Sequence, residues 1–222
     1  MLWLKVQLMK PRIAVGVLGL VLLLASCRST SYWAWEKLGY AKRDLLKSDV
    51  VAARDDQKAA SQQFQDALTR LRELYGSQGS NLEKTYDSLK SDYDRCVSRA
   101  DAVHKRVRQV ETVAGDLFKE WEKELQEISS ASLRESSRSK LQQTRRRYDE
   151  LHAALKRAEN SMEPVLTRFK DQVLYLKHNL NAEAIASLKG ETTNIQTDIA
   201  ALIRDMNAAI AQADKFISTL AE

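Results

Sequence analysis

The chain has 222 residues with only seven Gly and two Pro, and its 44% apolar and 29% charged residues are typical of long helices and coiled coils rather than β-sheets or disorder. The formal charge is +5, but Lys5, Lys10 and Arg12 lie in residues 1–26, which contain no acidic residue, so that 32 of the 35 basic residues face 30 acidic ones in the rest. This near balance of interspersed charges argues against a nucleic-acid-binding face.

Residues 1–26 have the layout of a signal peptide. Basic residues come first, and an uninterrupted apolar run of 13 residues, Ile13–Ala25, follows. A helix that spans the ~30 Å hydrocarbon core of a membrane needs about 20 residues. The run is therefore too short for a permanent transmembrane helix, and removal of residues 1–26 is predicted.

The tetrapeptide Leu24, Ala25, Ser26 and Cys27 resembles the bacterial lipobox. In that chemistry the cysteine sulfur takes a diacylglycerol, cleavage frees its amine, and the amine receives an N-acyl chain such as palmitate; these chains together hold a protein on a membrane. The alternative is an ordinary secretory signal, or an uncleaved anchor, with an incidental Cys27. Arg28 stands where many inner-membrane lipoproteins carry Asp, which favours the outer membrane, facing the periplasm.

Residues 27–40 form an aromatic-rich tether after the predicted lipid. Tyr32, Trp33 and Trp35 are candidate interaction residues because rings with a polar edge favour the headgroup region of a membrane. The alternative is that these rings cap one end of a helical core. The two arrangements are compatible.

Residues 41–222 show apolar positions that step alternately by four and three residues, in four successive stripes. This heptad spacing predicts left-handed coiled-coil packing. The stripes run from Leu46 to Leu74, from Leu82 to Trp121, from Leu141 to Leu176 and from Ile185 to Leu220.

Three turns are predicted between these stripes, at Gly76–Asn81, Ser129–Ser132 and Asn179–Asn181, where Gly, Ser and Asn end or cap helices. Pro164 lies inside the third stripe and is expected to kink its helix. Short connections make neighbouring helices antiparallel. The predicted fold is an all-α, elongated antiparallel coiled-coil bundle with four long helices, up-down-up-down; a three-helix, spectrin-like arrangement is the alternative.

The residues that could carry chemistry are scattered. Cys96 falls on an apolar stripe and is interpreted as a core residue, with an intermolecular disulfide as the alternative. His104, His152 and His178 lack metal-ligand spacing, so no metal site is predicted. The acidic group around Trp121, which consists of Glu120, Glu122, Glu124 and Glu127, is expected to face water and to make surface pairs, so no catalytic residue and no enzyme is predicted.

The densest basic cluster is Arg145, Arg146 and Arg147. Three successive residues spread around most of a helix, so they form no single flat surface, and a solvated helix face is the ordinary interpretation. Binding to anionic lipid or to an acidic partner is the functional alternative.

Five stretches of the sequence resemble domain-of-unknown-function family 2959, a family of helical, lipoprotein-like bacterial proteins. They are YWAWEKLGYAKRD (32–44), SSASLR (129–134), RRRYDEL (145–151), MEPVL (162–166) and DQVLYLKHNLNAEAIASLKGE (171–191). The resemblance implies an envelope location and a helical fold, and it implies no catalytic residues.

These patterns together predict a membrane-anchored envelope lipoprotein that acts as a noncatalytic scaffold or protein-interaction module. The expected partners are the membrane, through the lipid on Cys27, and an envelope protein; no nucleic acid is expected, and a homo-oligomer is left open. No cofactor is predicted beyond the covalent lipid. The alternative function is direct binding of lipid headgroups or of cell-wall polymer.

Overall fold

The computed structural model describes residues 42–76, 81–179 and 181–220, with side chains except at 74–76, 182, 184–185 and 189–193. Four helices occupy these residues: α1 (Lys42–Gly76), α2 (Leu82–Glu127), α3 (Ala131–His178) and α4 (Ala182–Leu220). They are 35, 46, 48 and 39 residues long, and the described residues contain no strand. The all-α prediction is confirmed.

The four helices form a bundle in which each helix packs against two neighbours. α1 contacts α2 and α4, and α3 contacts the same two helices. In each pair of neighbouring helices, residue numbers rise along one helix as those of their contact partners fall along the other. On α1 and α4, for example, Arg43 contacts Leu220 whereas Arg54 contacts Asp214. The neighbours are therefore antiparallel, as the up-down-up-down prediction requires, and the described helices do not form the three-helix alternative.

The heptad stripes form the core because each helix must bury its apolar face against its neighbours. Phe64, Phe169 and Phe216 are among the largest side chains that are fully buried. Gln57, the polar residue in the first stripe, is also buried. Stripe positions that are only half-buried include Tyr86, Tyr93, Trp121 and Tyr148. No described helix contains a segment that is long and apolar enough to cross a membrane.

Each predicted turn overlaps an interval between two successive helices. α1 ends at Gly76, and α2 begins after Asn81, whose side chain accepts hydrogen bonds from the backbone N–H groups of the first turn. The second turn is shorter than predicted. Ser130 caps α3 by accepting from the N–H of Leu133, so Ala131 and Ser132 already belong to the helix.

The third helix is continuous through Pro164, which lies on its exposed side. Proline has no N–H group, so one backbone hydrogen bond of α3 is missing at this point. The flanking residues Met162 and Val165 are nevertheless fully buried. The core is therefore uninterrupted beside the proline.

Candidate functional site

The predicted lipobox Leu24, Ala25, Ser26 and Cys27 lies outside the described residues, and so do Tyr32, Trp33 and Trp35. The candidate sites that the structure describes therefore lie in the bundle. Two regions of the bundle carry features that packing does not explain: an open cavity at the end where α1 begins, and an exposed apolar patch near the opposite end.

The three successive arginines are separated, as the helical geometry predicted. The Arg145 guanidinium lies 5.0 Å from the centre of the Phe118 ring and 2.8 Å from a carboxylate oxygen of Glu122. Its charge is therefore already paired with these two residues of α2. Arg146 and Arg147 are both exposed, and Arg147 also lines the end cavity.

The end cavity has a volume of about 240 Å³ and is lined by residues of all four helices. Its cations are Arg43 from α1 and Lys140 and Arg147 from α3. Its apolar wall contains Trp121 and Leu220. No described residue that lines it is acidic.

Local contacts fix two walls of the end cavity. The indole N–H of Trp121 donates to Ser137 at 2.9 Å, which holds the ring between α2 and α3. Arg43 donates to the backbone carbonyl of Leu220 at 3.0 Å, at the C-terminus of α4. A cation at this position offsets the partial negative charge of the helix end.

The exposed apolar patch consists of Leu174 and Tyr175, near the C-terminus of α3. Their exposures are 45% and 39%, whereas the large apolar residues of the core are less than 10% exposed. Tyr175 also borders a groove of about 660 Å³ between α3 and α4, with Arg168, Asp171 and Leu188. Leu174 borders a second groove, of about 370 Å³, between α2 and α3.

The histidines and acidic residues of the bundle make pairs between helices. His104 contacts Glu159 at 2.6 Å and His152 contacts Glu111 at 2.7 Å, both between α2 and α3. In the acidic group around Trp121, Glu120 pairs with Lys42 at 2.9 Å. Within the described part of the chain, no three His, Cys, Asp or Glu side chains are arranged to hold a metal ion.

Cys96 is fully buried in the α1–α2 interface, in agreement with the core interpretation. Its nearest polar partner is the backbone carbonyl of Gln63, 3.9 Å from the sulfur. Burial, reinforced by the nearby Asp92 carboxylate, raises the pKa of the Cys96 thiol to about 12. A thiol with this pKa has almost no thiolate at neutral pH and is a poor nucleophile.

Several buried charges were missed by the heptad pattern. Asp92 is fully buried and forms ion pairs with Arg70 of α1 and with Arg95. Asp49 is also buried, and the loss of solvent raises its pKa even though Arg106 acts in the opposite direction. Both residues are charged, so the sequence alone suggests that they are exposed. It also does not identify the residues on other helices with which they pair.

A family model described as "Protein of unknown function (DUF2959)" matches residues 31–220. The match includes all four helices. No curated protein and no solved structure matches the chain.

Proposed function

The chain belongs to the DUF2959 family of proteins of unknown function, and we propose that it is a lipid-anchored protein of the bacterial envelope whose bundle is a noncatalytic scaffold for another protein. The observation that carries the proposal is the tetrapeptide Leu24-Ala25-Ser26-Cys27, which follows a basic and then an apolar segment. In this proposal Cys27 holds the lipid and the bundle provides the contact surface.

The distance along the chain between lipid and bundle supports this division of roles. Fifteen residue steps separate Cys27 from Lys42, where α1 begins, so the tether reaches at most about 50 Å. Helix α3 alone is about 70 Å long at 1.5 Å per residue. A tether of this length keeps the bundle at the membrane while leaving its surface accessible to a partner.

The exposed patch of Leu174 and Tyr175 is the proposed contact surface for the partner. It lies about 40 Å along α3 from Arg147, near the end of the bundle opposite the start of α1. Exposed apolar side chains beside a groove are typical of surfaces that bind another protein. We expect the partner to insert apolar side chains into the groove beside Tyr175.

The packing of the bundle supports a noncatalytic role. A pair of catalytic carboxylates must converge on one pocket and have unequal environments there. Glu120 and Glu122, from the acidic group near Trp121, instead each pair with a cation of a different helix. Glu120 pairs with Lys42 of α1, and Glu122 pairs with Arg145 of α3.

The anchor is tested by labelling cells with a radioactive or clickable palmitate analogue. We expect label on the wild-type protein, none on a Cys27→Ser variant, and a mature mass that corresponds to cleavage before Cys27. Separation of inner and outer membranes on a density gradient then tests the outer-membrane assignment. An unlabelled protein with residues 1–26 still attached would contradict the anchor.

The scaffold role is tested by crosslinking in intact cells and mass spectrometry of what copurifies. We expect a protein partner that is lost with Leu174→Ser/Tyr175→Ser and retained with Leu133→Ser. Leu133 is a matched control because it is 64% exposed but lies at the other end of α3. Equal recovery from both variants, or recovery of lipid or cell-wall material alone, would contradict the proposed surface.

A further inference from the structure

We propose that the end cavity between Arg43, Lys140 and Arg147 binds the phosphate of an anionic phospholipid headgroup. The inference goes beyond the scaffold function, and it rests on the proposed lipid anchor only for the source of the ligand. Three cations from two helices line this cavity, and no described residue of its lining is acidic.

The charges of Lys140 and Arg147 are available to a ligand. Neither side chain has an ion-pair partner among the described residues, whereas Arg54, Arg168 and Lys215 pair with acidic residues across helix interfaces. Lys140 and Arg147 are seven residues apart, or about two turns, so they project from the same side of α3. Both side chains are exposed, so water and salt screen the repulsion between them, and an anion placed between them would be attracted by both charges.

Arg43 completes the cation set from the opposite side of the cavity. One of its terminal nitrogens donates to the Leu220 carbonyl, which holds the guanidinium at the end of α4. A guanidinium has five N–H donors, so others remain for a ligand. Phosphate oxygens are well matched to this fork, and each hydrogen bond between the two would be assisted by charge.

The uncharged walls fit the rest of a headgroup. Gln143, Thr144 and Thr219 offer polar groups, while Trp121 and Leu220 provide an apolar side. Phosphodiesters of glycerol have both characters, a charged centre and short carbon segments. The volume of about 240 Å³ is below the roughly 300–1,000 Å³ of pockets that hold drug-sized ligands, as a headgroup requires.

The position of the cavity identifies the phosphate source. It opens at the end of the bundle where α1 begins, and the chain reaches this end directly from the tether. A lipid on Cys27 would therefore keep the cavity within about 50 Å of a membrane surface. Phospholipid headgroups are the most concentrated phosphates at such a surface, and basic groups near it attract the anionic ones.

The test measures binding of water-soluble headgroups to the full chain in a neutral maltoside detergent by titration calorimetry. The probes are glycerophosphoglycerol, zwitterionic glycerophosphocholine and inorganic phosphate. The variant Arg43→Gln/Lys140→Gln/Arg147→Gln removes the cations of the cavity. The control Arg99→Gln/Arg108→Gln/Arg204→Gln removes three exposed charges elsewhere, which keeps the net charge of the two variants equal.

We expect saturable binding of glycerophosphoglycerol that is weakened more than tenfold in the cavity variant and less than twofold in the control. Because Arg43 also caps α4, the double variant Lys140→Gln/Arg147→Gln serves as a second test that leaves this contact intact, and circular dichroism verifies its fold. No saturable binding, equal losses in cavity variant and control, or binding of inorganic phosphate alone would overturn the proposal. The probes are supplied in solution, so the result does not depend on acylation of Cys27.

Discussion

Gln57 occupies a core position of α1 where the heptad pattern places an apolar residue. It is 1% exposed, and neither its amide nitrogen nor its amide oxygen has a hydrogen-bond partner among the described residues. A buried amide without partners costs about 1–3 kcal/mol of stability. Polar core residues also fix the register of coiled coils at a cost in stability.

Replacing Gln57 with Leu should therefore stabilise the bundle by about 1–3 kcal/mol, because the desolvation cost disappears and apolar burial is gained. Urea unfolding followed by circular dichroism measures the change. Gln62→Leu is the control, because Gln62 is exposed and donates to Asp66 at 2.8 Å; its effect should stay within about 0.5 kcal/mol. A less stable Gln57→Leu protein would show that the amide has a partner or fixes the helix register.

Glu159 shows how a buried charge connects two helices. Burial opposes its ionisation, but hydrogen bonds from His104 of α2 and from Lys156 outweigh that effect, so the pKa of Glu159 is lowered from its ordinary value. A carboxylate with a lowered folded-state pKa contributes stability above its unfolded pKa of about 4.3. This contribution is lost as the pH falls through the lower, folded-state pKa.

Glu159→Gln should accordingly destabilise the bundle at pH 7 by about 1–3 kcal/mol, since hydrogen bonds to a charged group are lost. The difference between wild type and variant should shrink at pH values below the folded-state pKa of Glu159. Denaturant unfolding at pH 7 and in the acid range measures both effects. Glu163→Gln, an exposed change on the same helix, is the control; a deficit that does not depend on pH would contradict the ionic origin.

At the scale of single helices, the heptad stripes predicted the core well because each helix buries one apolar face, and the stripe marks that face. Gln57 and Gln172 are polar, but both lie at heptad positions of their stripes, and both are buried. Asp92 was missed because its burial depends on Arg70, a residue of another helix. The repeating pattern of one helix contains no information about cations that its neighbour supplies.

The end cavity illustrates the same limit for sites. The sequence singled out Arg147 as part of a basic cluster, but it could not separate Arg147 from Arg145, whose charge is used by Glu122 and Phe118. The convergence of Arg43 with Lys140 is also a property of the folded bundle, because nearly a hundred residues separate them along the chain. Only packing of all four helices brings these cations together.

Pro164 gives a prediction for helix α3. Proline in a helix interior is about 3 kcal/mol less favourable than alanine, although a long helix absorbs part of this cost by local adjustment. Pro164→Ala should restore one backbone donor and stabilise the bundle by about 1–3 kcal/mol. Thermal unfolding with Glu163→Ala as the exposed control measures the effect. A destabilised Pro164→Ala protein would mean that the buried contacts of Met162 and Val165 depend on the local backbone geometry of proline.

At the scale of the bundle, the apolar stripes are buried by the four helices themselves. Each helix has two antiparallel neighbours, and the large hydrophobic residues that remain exposed in the described part are Leu133, Leu174 and Tyr175. Leu133 lies at the start of α3, far from the other two. Such separated residues offer much less apolar surface than the core-like interface of an obligate homodimer.

The bundle should therefore fold as a monomer, because no stripe needs a second copy to cover it. A two-state monomer has an unfolding temperature that does not change with protein concentration, whereas a dimer becomes more stable as concentration rises. Thermal unfolding of the full chain in a neutral detergent, over a roughly hundredfold range of concentration, distinguishes these cases. A rise in unfolding temperature with concentration that disappears in Leu174→Ser/Tyr175→Ser would instead identify the exposed patch as a contact between two copies of this chain. The partner of the proposed scaffold would then be the protein itself.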